Sequence, residues 1–292
     1  MKILITGAGG MLGSDWIYYF KKNNKNVIGL KREDLDITKL ENVRIIFEKY
    51  MPDIVIHTAA HTDVNEGEIL KDISYKINFL GTWNIALLCQ EYNKSLVYIS
   101  SCGIFDGKKV DPYNELDIPN PLTHHHKSKY KAEEIISKLV NKFFIFRPGW
   151  LFGGSFNHKK NFVANRYKEA LNKKYIKSNT GQKGSPTYTL DFIKMADKII
   201  LKKAYGLYHI VNTPSCTRYE YVKACINSFK LETKVLKSNP EDFKRKANVA
   251  LSESLENYFL KLRGFPEMRR WEIALEEYIQ DRLIPELNSY ND

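Results

Sequence analysis

An α/β fold is what this chain predicts: a doubly wound parallel sheet with a smaller C-terminal domain. Two observations carry the prediction. Short, apolar, β-branched strands alternate with amphipathic helices through the first half, and a glycine-rich turn joins the first strand to the first helix. At 292 residues the chain has material for one large or two modest domains.

The first strand reads at 2–6. Gly7, Gly10 and Gly13 follow at three-residue spacing, and 11–20, with Lys21 and Lys22 behind it, has the pattern of an amphipathic helix. Glycines at such a junction permit a tight turn and let backbone N–H groups approach a pyrophosphate. The positive end of the helix then faces the anion. This marks a Rossmann-like dinucleotide loop made of Gly7, Gly10, Met11, Leu12 and Gly13.

A second strand at 27–30 precedes a helix at 40–50, which stops near Pro52. A third strand at 54–57 leads into a long helical pattern at 73–92. Strands at 95–100 and 143–147 enclose a helix at 128–140. Strands this uniformly apolar are covered on both faces. After Pro148 the rhythm changes. Helices read at 160–174, 190–202, 219–229 and 271–282, with a turn at Gly184-Ser185-Pro186-Thr187, a strand at 207–211 and a polar, irregular stretch before the last helix. No clean linker or repeat interrupts this. The division expected is a nucleotide-binding domain of 1–150 plus about 186–212 and a substrate-binding domain of about 151–185 plus 213–292.

The net charge of +11 is spread over a lysine-rich chain, with no basic stripe interleaved with aromatics of the kind a nucleic-acid groove needs. No apolar run approaches the ~20 residues of a membrane helix, and the first strand occupies the N-terminus where a signal peptide would lie. The cytoplasm is the location expected, with no nucleic acid and no membrane as partner. Cys89, Cys102, Cys216 and Cys225 lack CxxC spacing and read as reduced thiols. His124, His125 and His126 are consecutive and so point in different directions on a helix, with no cysteine or carboxylate at ligand spacing. No metal site is expected.

The residue after the second strand decides between dinucleotides, because an acid there binds the adenosine ribose hydroxyls and a cation accommodates a 2′-phosphate. Lys31 and Arg32 stand first, with Glu33 and Asp34 beyond. NADP(H) is favoured, and NAD(H), with Glu33 turned inward, is the alternative. Asp36 and Ile37 lie where the adenine would be reached.

Further along, Leu35-Asp36-Ile37-Thr38, Ala59-Ala60, Asn78, Ser100-Ser101, Phe105-Asp106-Gly107, Asn120-Pro121-Leu122, Lys127-Ser128-Lys129, Arg147 with Trp150, Gly184-Ser185-Pro186-Thr187 and Arg270-Trp271 agree with one family. The chain resembles the dTDP-4-dehydrorhamnose reductases, extended members of the short-chain dehydrogenase/reductase superfamily, along nearly its whole length. The resemblance implies reduction of the 4-keto group of a nucleotide-linked 6-deoxysugar in dTDP-rhamnose biosynthesis, by hydride from a nicotinamide cofactor. It also implies cofactor contacts from Ala59, Ala60, Asn78 and Lys129, and substrate contacts from Cys102, Trp150, Pro186 and Thr187.

The family's reaction centre is a Ser/Thr hydroxyl with a Tyr and a Lys in YxxxK, four apart so that both lie on one helix face. Aligned from Asn120-Pro121-Leu122, the lysine is Lys129 and the hydroxyl is Ser101, but the tyrosine position holds His125. Cys102-Gly103 and Pro148-Gly149 also depart from the pattern. A free imidazole has a pKa of ~6.5, which a neighbouring Lys129 lowers. Two functions therefore stand: a slow or altered reductase using Ser101, His125 and Lys129, or a non-catalytic subunit that binds NADP(H) or a nucleotide sugar. An extended-family epimerase or dehydratase would need the same missing tyrosine. A homodimer or a complex with a partner enzyme is the assembly either function allows.

Overall fold

The computed structural model describes residues 1–243 and 246–289. Side chains alternate across a strand, and in β1 (Lys2–Thr6) this sorts Ile3 and Ile5 into one apolar cluster and Leu4 into another on the opposite face. α1 (Met11–Lys22) seals the first face with Trp16 and Phe20. After β2 (Asn26–Leu30), α2 (Leu40–Tyr50) seals the second with Val43 and Phe47, one turn apart.

β3 (Ile54–His57) is followed by α3 (Val64–Ile69), α4 (Lys71–Ser74), a π-helical turn at Tyr75–Leu80 and α5 (Gly81–Glu91). The unbroken helix predicted at 73–92 is thus a helix with a π insertion, which periodicity does not register. Such insertions cluster at functional sites, and this one carries the buried Asn78. β4 (Ser95–Ile99) and β5 (Phe143–Pro148) bracket α6 (His124–Leu139). α6 begins four residues before the predicted start at 128. The Thr123 hydroxyl caps it by accepting from the His126 N–H at 3.2 Å, so the three histidines form its first turn.

The second half contains β6 (Trp150–Phe152), α7 (Phe162–Leu171), β7 (Tyr175–Asn179), β8 (Lys183–Gly184), β9 (Pro186–Tyr188), α8 (Thr189–Leu201) and β10 (Gly206–Ile210). The turn predicted at 184–187 is instead extended chain in β8 and β9. The Ser185 carbonyl accepts from the Trp150 N–H at 2.8 Å, and Gly184 lies flat against the Trp150 indole, where a Cβ has no room. β11 (Cys216–Thr217), α9 (Arg218–Ser228), β12 (Lys234–Ser238), β13 (Ser252–Glu253), α10 (Tyr258–Leu262), α11 (Trp271–Tyr278) and α12 (Ile284–Asn288) complete the chain. The stretch expected to be irregular before the last helix therefore holds two strands and a helix.

Six parallel strands run in the order β10-β5-β4-β3-β1-β2. The chain winds outward in one direction to β2 and in the other from β3, so a crevice opens beyond the carboxyl ends of β1 and β3. Leu260, Phe265 and Met268, from the segment assigned by sequence to the second domain, pack in the core cluster of this sheet.

Candidate active site

The crevice is shaped by side chains that are missing. Gly7 has φ +69°, and a Cβ on it would stand 2.6 Å from the Ala59 nitrogen; a Cβ on Gly13 would collide with the Gly7 carbonyl oxygen. Gly10 is the N-cap of α1 with no side-chain hydrogen bond, leaving the first-turn N–H groups for an anion. Met11 and Leu12 follow in that turn. The stem of Lys31 lies over Gly9, its Cγ 3.5 Å from where a Cβ would be, and Arg32 beside it is exposed. Lys31 Nζ is 3.8 Å from Glu33, a solvated pair that a ligand phosphate can outcompete. Asp36 accepts from the Thr38 N–H and hydroxyl at 3.0 and 2.7 Å, which holds its carboxyl below the usual range. Ile37 is buried under Gly81. These residues, with Ala59 and Ala60, line one end of the sheet. A dinucleotide fits them on two grounds: the side-chain-free cradle and the uncapped helix start.

At the same end of the sheet, the first two turns of α6 gather buried ionisable groups. Asn78 joins them to the β3 loop: its Oδ1 accepts from the His61 N–H at 2.8 Å, and its Nδ2 is 3.1 Å from the His61 carbonyl, 3.1 Å from Ser128 Oγ and 3.4 Å from His125 Nδ1. His125 and Lys129 are one turn apart on one face, as the spacing predicted. Burial, then the charges of His126 and Lys129, push the His125 imidazole well below its ordinary range, against a hydrogen bond from the ring to the His61 backbone that favours the cation. His126 packs flat on Gly103 and is held at about 4 by burial and Lys129. His57, wedged between Thr6 and Thr82, is held at about 3 by the same two causes. Lys129 itself lies 4.3 Å above the Tyr98 ring. Burial lowers its ammonium to about 7, opposed by Glu133 one turn on.

Glu133 is committed to Arg147 of β5 in a buried two-pronged pair at 3.0 and 2.6 Å. Ser101, half-buried at the end of β4, accepts from the Gly103 N–H at 3.2 Å and retains its own hydroxyl proton to donate. Cys102 is buried next to it, and burial and Glu253 push its thiol up. Trp150 is half-buried. Its Nε1 donates to Glu253 at 2.7 Å, and the Arg218 guanidinium stacks 3.4 Å from the indole centre. Pro186 and Thr187 are enclosed, the Thr187 hydroxyl donating to the Ser185 carbonyl at 3.0 Å, so they hold the wall behind Trp150.

Sequence reasoning did not find Arg218, Glu253, His57 or Tyr98. The first two come from segments with no motif, and only tertiary pairing brings them to Trp150. Glu133 carried a signal, its four-residue offset from Lys129. Among the described residues no group of histidines, cysteines and carboxylates could hold a metal ion, and no helix is long and apolar enough to cross a membrane.

The family model for the RmlD substrate binding domain matches residues 1–284. The spore coat polysaccharide biosynthesis protein SpsK of Bacillus subtilis is 34% identical over 281 residues, covering 96% of this chain and 98% of that protein. A dTDP-4-dehydrorhamnose reductase structure from Clostridium acetobutylicum superposes with a TM-score of 0.92 at 34% identity, covering 96% of this chain and 98% of that one. The Bacillus anthracis dTDP-4-dehydrorhamnose reductase, solved in complex with NADP, gives 0.92 at 33% identity and covers 96% and 100%.

Proposed function

The chain belongs to the RmlD substrate binding domain family, and we propose that this nucleotide-sugar oxidoreductase reduces the 4-keto group of a nucleotide-linked 6-deoxysugar with NADP(H). One observation carries the reading: the glycine cradle and the His125–Lys129 face open at the same carboxyl end of one parallel sheet. In this reading residues 1–150 with about 186–212 hold the dinucleotide, and the rest hold the sugar nucleotide.

The dinucleotide, when bound, supplies the hydride. Lys129 holds its ribose, Ser101 donates a hydrogen bond to the carbonyl oxygen, and Trp150 with Arg218 forms the wall against which the substrate rests. His125 donates through its ring N–H. Because its imidazole is neutral at pH 7, it polarises the carbonyl but releases a proton poorly, and a slow reductase results. His125→Tyr therefore raises kcat by ~10²–10⁴ with NADPH and a dTDP-4-keto-6-deoxysugar. The unchanged chain speeds up as pH falls, because protonation turns the imidazole into an acid. A His125→Tyr variant that binds both ligands and turns over no faster defeats the proton-donor argument.

The depressed imidazole also favours a second reading, a non-catalytic NADP(H)- or nucleotide-sugar-binding subunit. Tight NADPH binding, no turnover by either form and recovery of a stoichiometric partner enzyme would establish it instead.

A further inference from the structure

Residues 153–161 leave β6, loop out and return to α7. Both roots of this loop are tied down by buried groups. Asp15 of α1, wholly buried, accepts from the Gly154 N–H at 2.8 Å, and the Tyr278 hydroxyl lies 2.8 and 3.0 Å from the Gly153 and Gly154 carbonyls. At the other root, Asn161 Nδ2 reaches the Tyr278 hydroxyl at 2.6 Å and the Ser155 carbonyl at 2.9 Å, while its Oδ1 caps α7 through the Ala164 N–H. Gly154 has φ +70°. A Cβ on it would stand 2.6 Å from His158 Nδ1 and 2.7 Å from Met11 Cγ, so the loop rests on the first residue of α1.

The tip is built differently. Asn157, Lys159 and Lys160 are exposed, and Lys160 Nζ crosses to the far wall, donating to Thr62 Oγ1 at 2.9 Å and lying 3.9 Å from Asp63. Thr62 and Asp63 follow Ala59 and Ala60 in the β3 loop. The segment therefore touches the β1–α1 wall at Met11 and the β3 wall at Thr62.

We propose that residues 153–161 are a strap across the dinucleotide crevice, latched by Lys160 onto Thr62 and Asp63, whose opening limits how fast the dinucleotide leaves. The inference rests on the dinucleotide reading of that crevice. A half-exposed ion pair with one hydrogen bond is weak and screened by salt, whereas the buried roots are neither. The tip lifts while the roots stay, as a lid that gates release requires.

The test is the dissociation rate of NADPH from the full chain, followed by stopped-flow fluorescence over a range of salt. Lys160→Ala should release NADPH roughly two- to five-fold faster and lessen the rise of release rate with salt, leaving only the part due to the exposed Lys31 and Arg32. Lys160→Arg should restore slow release, and Thr62→Val should fall between. NADPH should slow tryptic cleavage after Lys159 in the unchanged chain and less so in Lys160→Ala. If the unchanged chain binds NADPH and Lys160→Ala releases it at the same rate at every salt concentration, the strap fails and the dinucleotide reading survives. If the unchanged chain binds no NADPH, both fall.

Discussion

The two halves of the cleft reach one end of the sheet by opposite physical means. The glycine-loop half is organised by atoms that are absent: no Cβ on Gly7 or Gly13, no side-chain cap on α1, and cations left in solvent at Lys31 and Arg32. The α6 half is organised by ionisable groups taken out of water, with His57, His125, His126, Lys129, Glu133 and Arg147 all buried. The first arrangement is steric and local, so it makes a binding surface that needs little support. The second is electrostatic and depends on β3, α6 and β5 packing together with their neighbours, so it is where protonation chemistry is set and where stability is most exposed to a single change.

The contrast can be broken at its strongest point first. Glu133→Gln leaves Arg147 buried without its counter-charge and should cost about 3–5 kcal/mol of unfolding free energy, read from a denaturant titration. A wild-type midpoint would mean that this pair does not hold α6 on β5.

Acid comes next. The folded-state pKa values of His126, at about 4, and His57, at about 3, lie below the ordinary 6.5. The unfolded chain therefore binds more protons between these values, and stability rises with pH. The melting temperature should be highest above about pH 6.5 and fall as pH drops toward 4, with His126→Asn flattening part of the slope. A pH-independent melting curve through this window would show that these rings are not buried as neutral bases.

In the glycine half, Gly13→Ala should cost roughly 1–3 kcal/mol and weaken NADPH binding. Gly10→Ala, whose Cβ would sit 3.3 Å from the Gly7 oxygen, should cost less. Equal losses at both positions would contradict the steric account. The smallest effect belongs to Lys31→Ala, which should weaken NADPH roughly two- to five-fold and leave NADH unchanged, as measured by fluorescence titration.

Much of the fold was legible because its signals are short-range. β1, α2 and β3 lie where apolar runs, helical period and Pro52 placed them. Gly184-Ser185-Pro186-Thr187 reads as a turn because glycine and proline ordinarily punctuate the chain. Here glycine makes room for the Trp150 ring and proline begins a short strand. β11, β12 and β13 are short, partly polar segments whose partners, β8 and β7, are distant in sequence, so no local period announces them. The sequence places the start of α6 too late because a run of three histidines has no helical period, while the Thr123 cap that fixes it is a single residue.

The sequence by itself determined the parallel α/β architecture, the glycine cradle and the pairing of His125 with Lys129 on one helix face. Each follows from backbone sterics or from the 3.6-residue turn, and both act between near neighbours. Only the tertiary structure decided that burial, more than Lys129, lowers the His125 pKa, that Arg218 and Glu253 meet at Trp150, and that Lys160 reaches Thr62. Desolvation and ion pairing depend on which distant segments exclude water together, and that is a property of the packed molecule rather than of any stretch of chain.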